Sequence, residues 1–174
     1  MSQKVYLSIG SNMGDREKNL IFAYNNLKPA LKNIKISSVF KTEPMYNTEQ
    51  PEFLNAVLSG YTELGPYEIL EYIHTLEDKA GRDRKRAGWK GPRPLDIDIL
   101  LYGTTVSEDP VLTLPHPGIK ERGFVLIPLA EIAPDLADPV TGDKYRSFIK
   151  NNMNFYVKYY KSSAIFDIIA PDGR

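Results

Sequence analysis

The chain has 174 residues, with 22 Lys and Arg against 22 Asp and Glu, 42% apolar residues and no cysteine. That composition suits one compact domain and excludes wholesale disorder, disulfide frameworks, thiolate metal sites and a cysteine nucleophile. The N-terminal segment lacks a signal-peptide apolar core, and the longest apolar run, Phe124 to Ala130, contains Pro128, so the expectation is a cytoplasmic protein with no membrane span.

Lys4 to Ile9 alternates, with Val5, Leu7 and Ile9 on one face, and reads as a first strand. The turn Gly10 to Asp15 leads into a predicted helix, Arg16 to Lys32, whose buried stripe is Leu20, Ala23, Leu27 and Leu31. Ile34 to Lys41 alternates again; a loop, Thr42 to Pro51, separates it from a strand over Phe53 to Glu63. Pro66 opens a second helix with Leu70, Ile73 and Leu76 facing inward, and Gly81 caps its end. A basic segment follows, then a strand from Leu95 to Tyr102 and a helical stretch in Glu121 to Ile132. This order predicts an α+β fold with a ferredoxin-like split βαβ core, a mainly antiparallel sheet flanked by helices. Residues 1–150 read as a single domain. Residues 151–174 read as a C-terminal extension whose packing is open, with a short strand expected over Ala164 to Ala170.

Zero net charge conceals a split. Lys79 to Arg93 holds seven basic residues against Asp83, a net +6, leaving −6 for the rest of the chain. Three glycines, Pro92 and no apolar period predict a loop. Such a segment is either a solvated loop or a lid that closes over an anion, since arginine binds phosphate bidentately.

Immediately after it, Leu95, Ile97, Ile99 and Leu101 share one face of the strand, while Asp96 and Asp98 share the other, about 7 Å apart. Two carboxylates within an apolar strand need compensation. Each can pair with an arginine of the loop. Alternatively, the pair is a hard oxygen site for Mg²⁺, completed by phosphate and water, with two ions clamping a polyphosphate. The adjacent basic loop favours the second reading, because Mg²⁺ and arginine are the usual means of neutralising a triphosphate.

Other side chains read less sharply. His116 between two prolines is either a hydrogen-bonding scaffold or a phosphate ligand. Glu77 ends the second helix and could be a solvated acid, and His74 reads as a helix-surface residue. Asn55 in a strand could read the edge of a heterocycle, and Phe53 and Phe124 could sandwich a flat ring or simply fill the core. Trp89, flanked by glycine, could cap a ligand or anchor a closed lid. No phosphate loop, dinucleotide fingerprint, HExxH or GxSxG motif occurs.

Four stretches carry a family resemblance: Y-L-S-I-G-S-N-M-G-D (Tyr6 to Asp15), Q-P-E-F-L-N-A-V (Gln50 to Val57), G-P-R-P-L-D-I-D-I-L-L-Y-G (Gly91 to Gly103) and L-P-H-P-G-I-K-E-R-G-F-V-L-I-P-L-A-E-I-A-P-D-L (Leu114 to Leu136). The chain resembles the 6-hydroxymethyl-7,8-dihydropterin pyrophosphokinases of folate biosynthesis. The resemblance implies transfer of a diphosphoryl group from ATP to the pterin's hydroxymethyl oxygen, with release of AMP. Asp96 and Asp98 would hold two Mg²⁺ ions, and Asp96 would also lie near the attacking hydroxyl. Arg82, Arg84 and Arg93 would bind the phosphates and lower the lid. Glu77, Trp89, His116 and Arg122 would join Arg84 on the ATP side. Phe53 and Phe124 would stack on the pterin, with Asn55 and the Thr42, Pro44 and Met45 segment reading its edge. The family's arginine before the tryptophan is missing, leaving Arg86 and Lys90 as candidates for its charge.

A monomer acting on ATP and the pterin is the expectation, with no nucleic acid and no membrane partner. One basic loop on an otherwise acidic chain is a poor footprint for a duplex. The alternative is a Mg²⁺-dependent phosphohydrolase that uses the same Asp-x-Asp site with water as acceptor.

Overall fold

The computed structural model describes residues 1–45, 48–83, 85–86, 88, 90–152 and 156–167. Six strands and three α-helices follow the order β1 (Gln3–Ser11), α1 (Arg16–Leu27), β2 (Lys32–Ile36), β3 (Val39–Thr42), β4 (Phe53–Thr62), α2 (Pro66–Lys79), β5 (Asp96–Tyr102), α3 (Gly123–Ile132) and β6 (Val157–Lys161). Every strand pairing is antiparallel, in the order β5-β1-β4-β3-β6, with β2 also on β4. The central strand β4 lies between β1 and β2/β3, as a split βαβ unit requires. The α+β expectation holds.

Period-two patterning decides the layers. Val5, Leu7 and Ile9 of β1, Leu54, Ala56 and Leu58 of β4, and Leu95, Ile97 and Ile99 pack beneath Leu20, Ala23 and Leu27 of α1 and Ile69, Ile73 and Leu76 of α2. On the opposite face, Tyr6, Val57, Leu100 and Leu101 pack against Val125, Leu126 and Leu129 of α3. Each such valine, leucine or isoleucine contributes about 1.5–3 kcal/mol by leaving water. α3 covers only part of that second face. The uncovered part carries Ser8, Gly10, Asn55, Asp96 and Asp98, and it becomes a cavity floor.

Several elements differ from expectation. α1 stops at Leu27 rather than Lys32 because Pro29 has no N–H to continue the ladder; Leu31 is still buried, one turn further on. The strand expected over Ile34 to Lys41 is broken in two at Ser37. Ser37 Oγ accepts from the Val57 N–H at 2.9 Å, so a side chain replaces the ladder carbonyl there. Leu101 turns away from Leu95, Ile97 and Ile99. The register with β1 slips between Tyr6 and Leu7, leaving Leu100 as an extra residue, and Leu100 and Leu101 both face α3. The helical stretch expected in Glu121 to Ile132 is present as α3, with a 3₁₀ turn, Ile119–Glu121, just before it.

Gly81 does end α2, at φ +89°. Among the described residues no helix is long and apolar enough to cross a membrane.

Beyond residue 150, β6 joins the sheet edge against β3. In place of the strand expected over Ala164 to Ala170, Ser163–Asp167 form a 3₁₀ turn that drives Ile165 and Phe166 into the core beside α1. Residues 168–170 of that expected strand lie outside the described residues. Lys161 Nζ and the Tyr160 hydroxyl meet Glu17 of α1, which ties β6 to the first helix.

Candidate active site

β5 presents Asp96 and Asp98 on its uncovered face, as alternation requires. Both carboxylates are held by arginines. Asp96 takes Arg82 Nη1 on Oδ1 and Arg93 Nη2 on Oδ2, each at 3.0 Å, and Asp98 Oδ2 stands 3.8 Å from Arg122 Nη1. Pairing with arginines of the basic loop, one of the two readings of this motif, is therefore seen for Asp96, whereas Asp98 meets Arg122, which lies beyond that loop. This leaves Asp98 under-compensated: burial and the Asp96 charge push its carboxyl up to about 7, against the opposing pull of Arg122. The Nε of Arg93 is buried and meets no hydrogen-bond partner among the described residues.

Glu77 is no solvated acid. It is 2% exposed; its Oε1 lies 2.6 Å from Arg82 Nη1 and accepts from the Ile97 N–H at 2.9 Å. Ile97 is the residue between the two aspartates, so the last turn of α2 fixes both Arg82 and the aim of Asp96 and Asp98.

Two cavities meet at these carboxylates. The first, about 260 Å³, is lined by Thr42, Pro44, Met45, Phe53, Asn55 and Phe124 together with Arg82, Arg93, Asp96, Asp98, His116 and Arg122. The second, about 340 Å³, lies between α2 and the 110–117 segment, lined by Leu70, His74, Glu77 and Pro110 to Thr113. It shares Arg82, Asp96, Asp98 and His116 with the first. Arg122, expected with the nucleotide group, lines the first cavity. His74 is exposed as expected, yet it borders the second.

Two guanidiniums cover the aromatic walls, Arg93 at 5.3 Å from the Phe53 ring centre and Arg122 at 5.9 Å from that of Phe124. Asn55 is buried, and its Nδ2 donates to Thr42 Oγ1 at 2.6 Å. His116 Nδ1 accepts from the Gly118 N–H at 3.0 Å, so the neutral ring carries its proton on Nε2. Burial, reinforced by Arg122, lowers its pKa to about 4, so the imidazole is a neutral donor at physiological pH.

Arg84 and Trp89 lie outside the described residues. Of the two candidates for the family's missing lid charge, Lys90 lines the first cavity, whereas Arg86 is 91% exposed beside Asp83. Two site residues were not singled out from the sequence. Asn12 Nδ2 donates to Gln50 Oε1 at 2.8 Å, its Oδ1 accepts from the Arg93 N–H at 2.9 Å, and Gln50 Nε2 donates to the Lys90 carbonyl at 3.1 Å. Together they join the β1–α1 turn, the loop before β4 and the basic segment. Both sit inside quoted motif stretches, but as amides in turns they had no chemical signature of their own.

The sequence profile of the 7,8-dihydro-6-hydroxymethylpterin-pyrophosphokinase family matches residues 6–134. The chain is 44% identical over 135 residues to a 2-amino-4-hydroxy-6-hydroxymethyldihydropteridine pyrophosphokinase of Methylorubrum extorquens, covering 76% of this chain and 84% of that protein. It is 36% identical over 170 residues to the folic acid synthesis protein fol1 of Pneumocystis carinii, covering 94% of this chain but only 23% of that much longer protein. The fold is that of the wild-type Plasmodium falciparum HPPK-DHPS crystal structure, at 15% identity and a TM-score of 0.66 over 87% of this chain and 45% of that one. The carboxylate pair at the meeting of two cavities thus has its family: the chain belongs to the 7,8-dihydro-6-hydroxymethylpterin-pyrophosphokinases.

Proposed function

We propose that the chain transfers the diphosphoryl group of ATP to the hydroxymethyl oxygen of 6-hydroxymethyl-7,8-dihydropterin, giving the pterin diphosphate and AMP. The observation that carries this reading is the junction itself: an aromatic-walled cavity and a second cavity share Asp96, Asp98, Arg82 and His116. The flat ring lies between Phe53 and Phe124 with its polar edge on Asn55, and the nucleotide occupies the second cavity beside Glu77. In the reaction the hydroxymethyl oxygen bonds to the β-phosphorus while the bond from that phosphorus to the α,β-bridging oxygen breaks, and the electron pair leaves with AMP. We assign the hydroxyl proton to an Asp96 carboxylate oxygen.

The residues present fit Mg²⁺. Both donors are hard carboxylates, and the raised pKa of Asp98 marks negative charge that no cation fully meets. Among the described residues no group of three or more acidic, His or Cys side chains converges on one point, so triphosphate oxygens and water would complete the coordination of two ions. Mg²⁺ held by Asp96 and Asp98 supplies charge neutralisation across the triphosphate and polarisation of the β-phosphorus. Were a cation to meet Asp96, the guanidiniums of Arg82 and Arg93 would be available to phosphate oxygens, which would give the buried Nε of Arg93 an acceptor. His116 donates Nε2–H to the same anion. The protein's part is positioning and electrostatics.

Incubation of the chain with ATP, Mg²⁺ and the reduced pterin alcohol tests the reading. Pterin-dependent AMP is the expected product. ADP or free phosphate in its place would refute the transfer and point to a phosphohydrolase, a reading that an aromatic acceptor cavity does not favour.

A further inference from the structure

We infer that Gly10 is a positioning residue for the ring cavity, where the lack of a side chain lets the Asn55 amide and the Asp96 carboxylate face one uninterrupted floor. The inference rests on the reading that the first cavity takes the pterin. By register Gly10 stands opposite Asn55 on β4 and opposite Asp96 on β5, so it lies midway between the edge-reading amide and the reacting end. It lines the first cavity and not the second.

Conformation is not the reason for glycine here. The φ of Gly10 lies outside the left-handed range, so its backbone suits any residue. Space is the reason: a Cβ on Gly10 would stand 2.6 Å from Asn55 Oδ1 and 3.6 Å from Phe53 Cδ1. Asn55 cannot yield cheaply. It is 4% exposed, and its Nδ2 is committed to Thr42 at 2.6 Å. Turning the amide aside would break that bond to the buried Thr42 hydroxyl. Gly10→Ala therefore displaces the Asn55 amide. That spoils the reading of the ring's edge while leaving the nucleotide cavity unchanged.

The test is a double-mutant cycle in Gly10→Ala, Asn55→Ala and the double variant. Pterin binding is read by titration calorimetry with Mg²⁺ and a non-hydrolysable ATP analogue, nucleotide binding is measured separately, and melting temperatures are recorded. Gly10→Ala is expected to weaken pterin binding about tenfold or more, with nucleotide affinity within about twofold of wild type. In the Asn55→Ala background the same substitution is expected to cost less than about twofold and to leave the melting temperature unchanged, because the atom it strikes is gone. Wild-type pterin affinity in Gly10→Ala, equal costs in both backgrounds, or parallel loss of nucleotide binding would each overturn the inference. Should the wild-type chain bind no pterin, the functional reading fails. The melting temperatures then decide on Gly10 alone, and equal shifts in both backgrounds would refute its coupling to Asn55.

Discussion

Asp98→Asn should stabilise the metal-free chain at alkaline pH while removing its activity. The Asp98 carboxyl is pushed up to about 7, raised first by burial and then by Asp96, against an ordinary value of 3.8. A carboxyl whose pKa rises on folding is penalised in its charged form. The penalty is absent below about pH 4, grows through the window from 4 to 7, and is complete above 7. A shift of this size corresponds to at most about 4 kcal/mol. The side chain is 36% exposed and so partly screened, which reduces the expected cost to about 1–2 kcal/mol. For a chain of this length that is a gain of about 3–6 °C in melting temperature for Asp98→Asn at pH 8, falling to about two-fifths of that near pH 5 and fading below about pH 4. Differential scanning calorimetry in chelator, repeated at both pH values, measures it. Added Mg²⁺ and nucleotide should stabilise wild type and do little for the variant, whose pterin-dependent AMP formation is lost. A lower melting temperature at pH 8, or an equal gain at pH 5, would show that Asp98 carries no uncompensated charge.

Three further outcomes are expected. His116, with its pKa held near 4, should show by nitrogen-detected NMR a neutral ring protonated on Nε2 throughout pH 5.5–8; a midpoint near 6.5 would contradict the burial and the Gly118 bond. Because its folded pKa lies below the unfolded value, this group's share of stability is full above about 6.5 and declines as pH falls toward 4. Arg93→Ala should lower kcat by about 10²–10³-fold, as loss of one preorganised phosphate donor does, with nucleotide affinity affected far less; steady-state and single-turnover kinetics check the split. Phe166→Ala should cost about 3–5 kcal/mol in urea unfolding, since Phe166 is 1% exposed and packs on Tyr24 at 5.1 Å between ring centres; a loss below 1 kcal/mol would mean that residues 163–167 are not part of the core.

Local rules reached far into this protein. Alternation in Lys4 to Ile9 and Leu95 to Ile99 determined which side chains meet the helices and placed both aspartates on the other face, because the pleat has a period of two whatever the neighbours. The +6 segment beside Asp96 and Asp98 located the site, since opposite charges in an apolar setting need one another or a ligand between them. The family resemblance named side chains that line one cavity, from Thr42 and Phe53 to Phe124.

Tertiary contacts decided the rest. Leu101 left its expected face because β1 and β5 slip by one residue, and a slip depends on the partner strand. Glu77 became a buried brace only because folding brings the Ile97 N–H and Arg82 to it, across 20 residues in the first case. Asn12 and Gln50 gained their roles from contacts 81 and 40 positions away. The tail, read as an extension of open packing, supplies an edge strand and two core side chains because β3 was left with an unpaired edge. Periodicity and charge are properties of neighbours in the chain, so the sequence alone determined the faces and the chemistry on them. The pairings of Arg82 and Arg122 and the need for a bare Gly10 depend on atoms far apart in the chain, and only the fold brings those within a few ångströms.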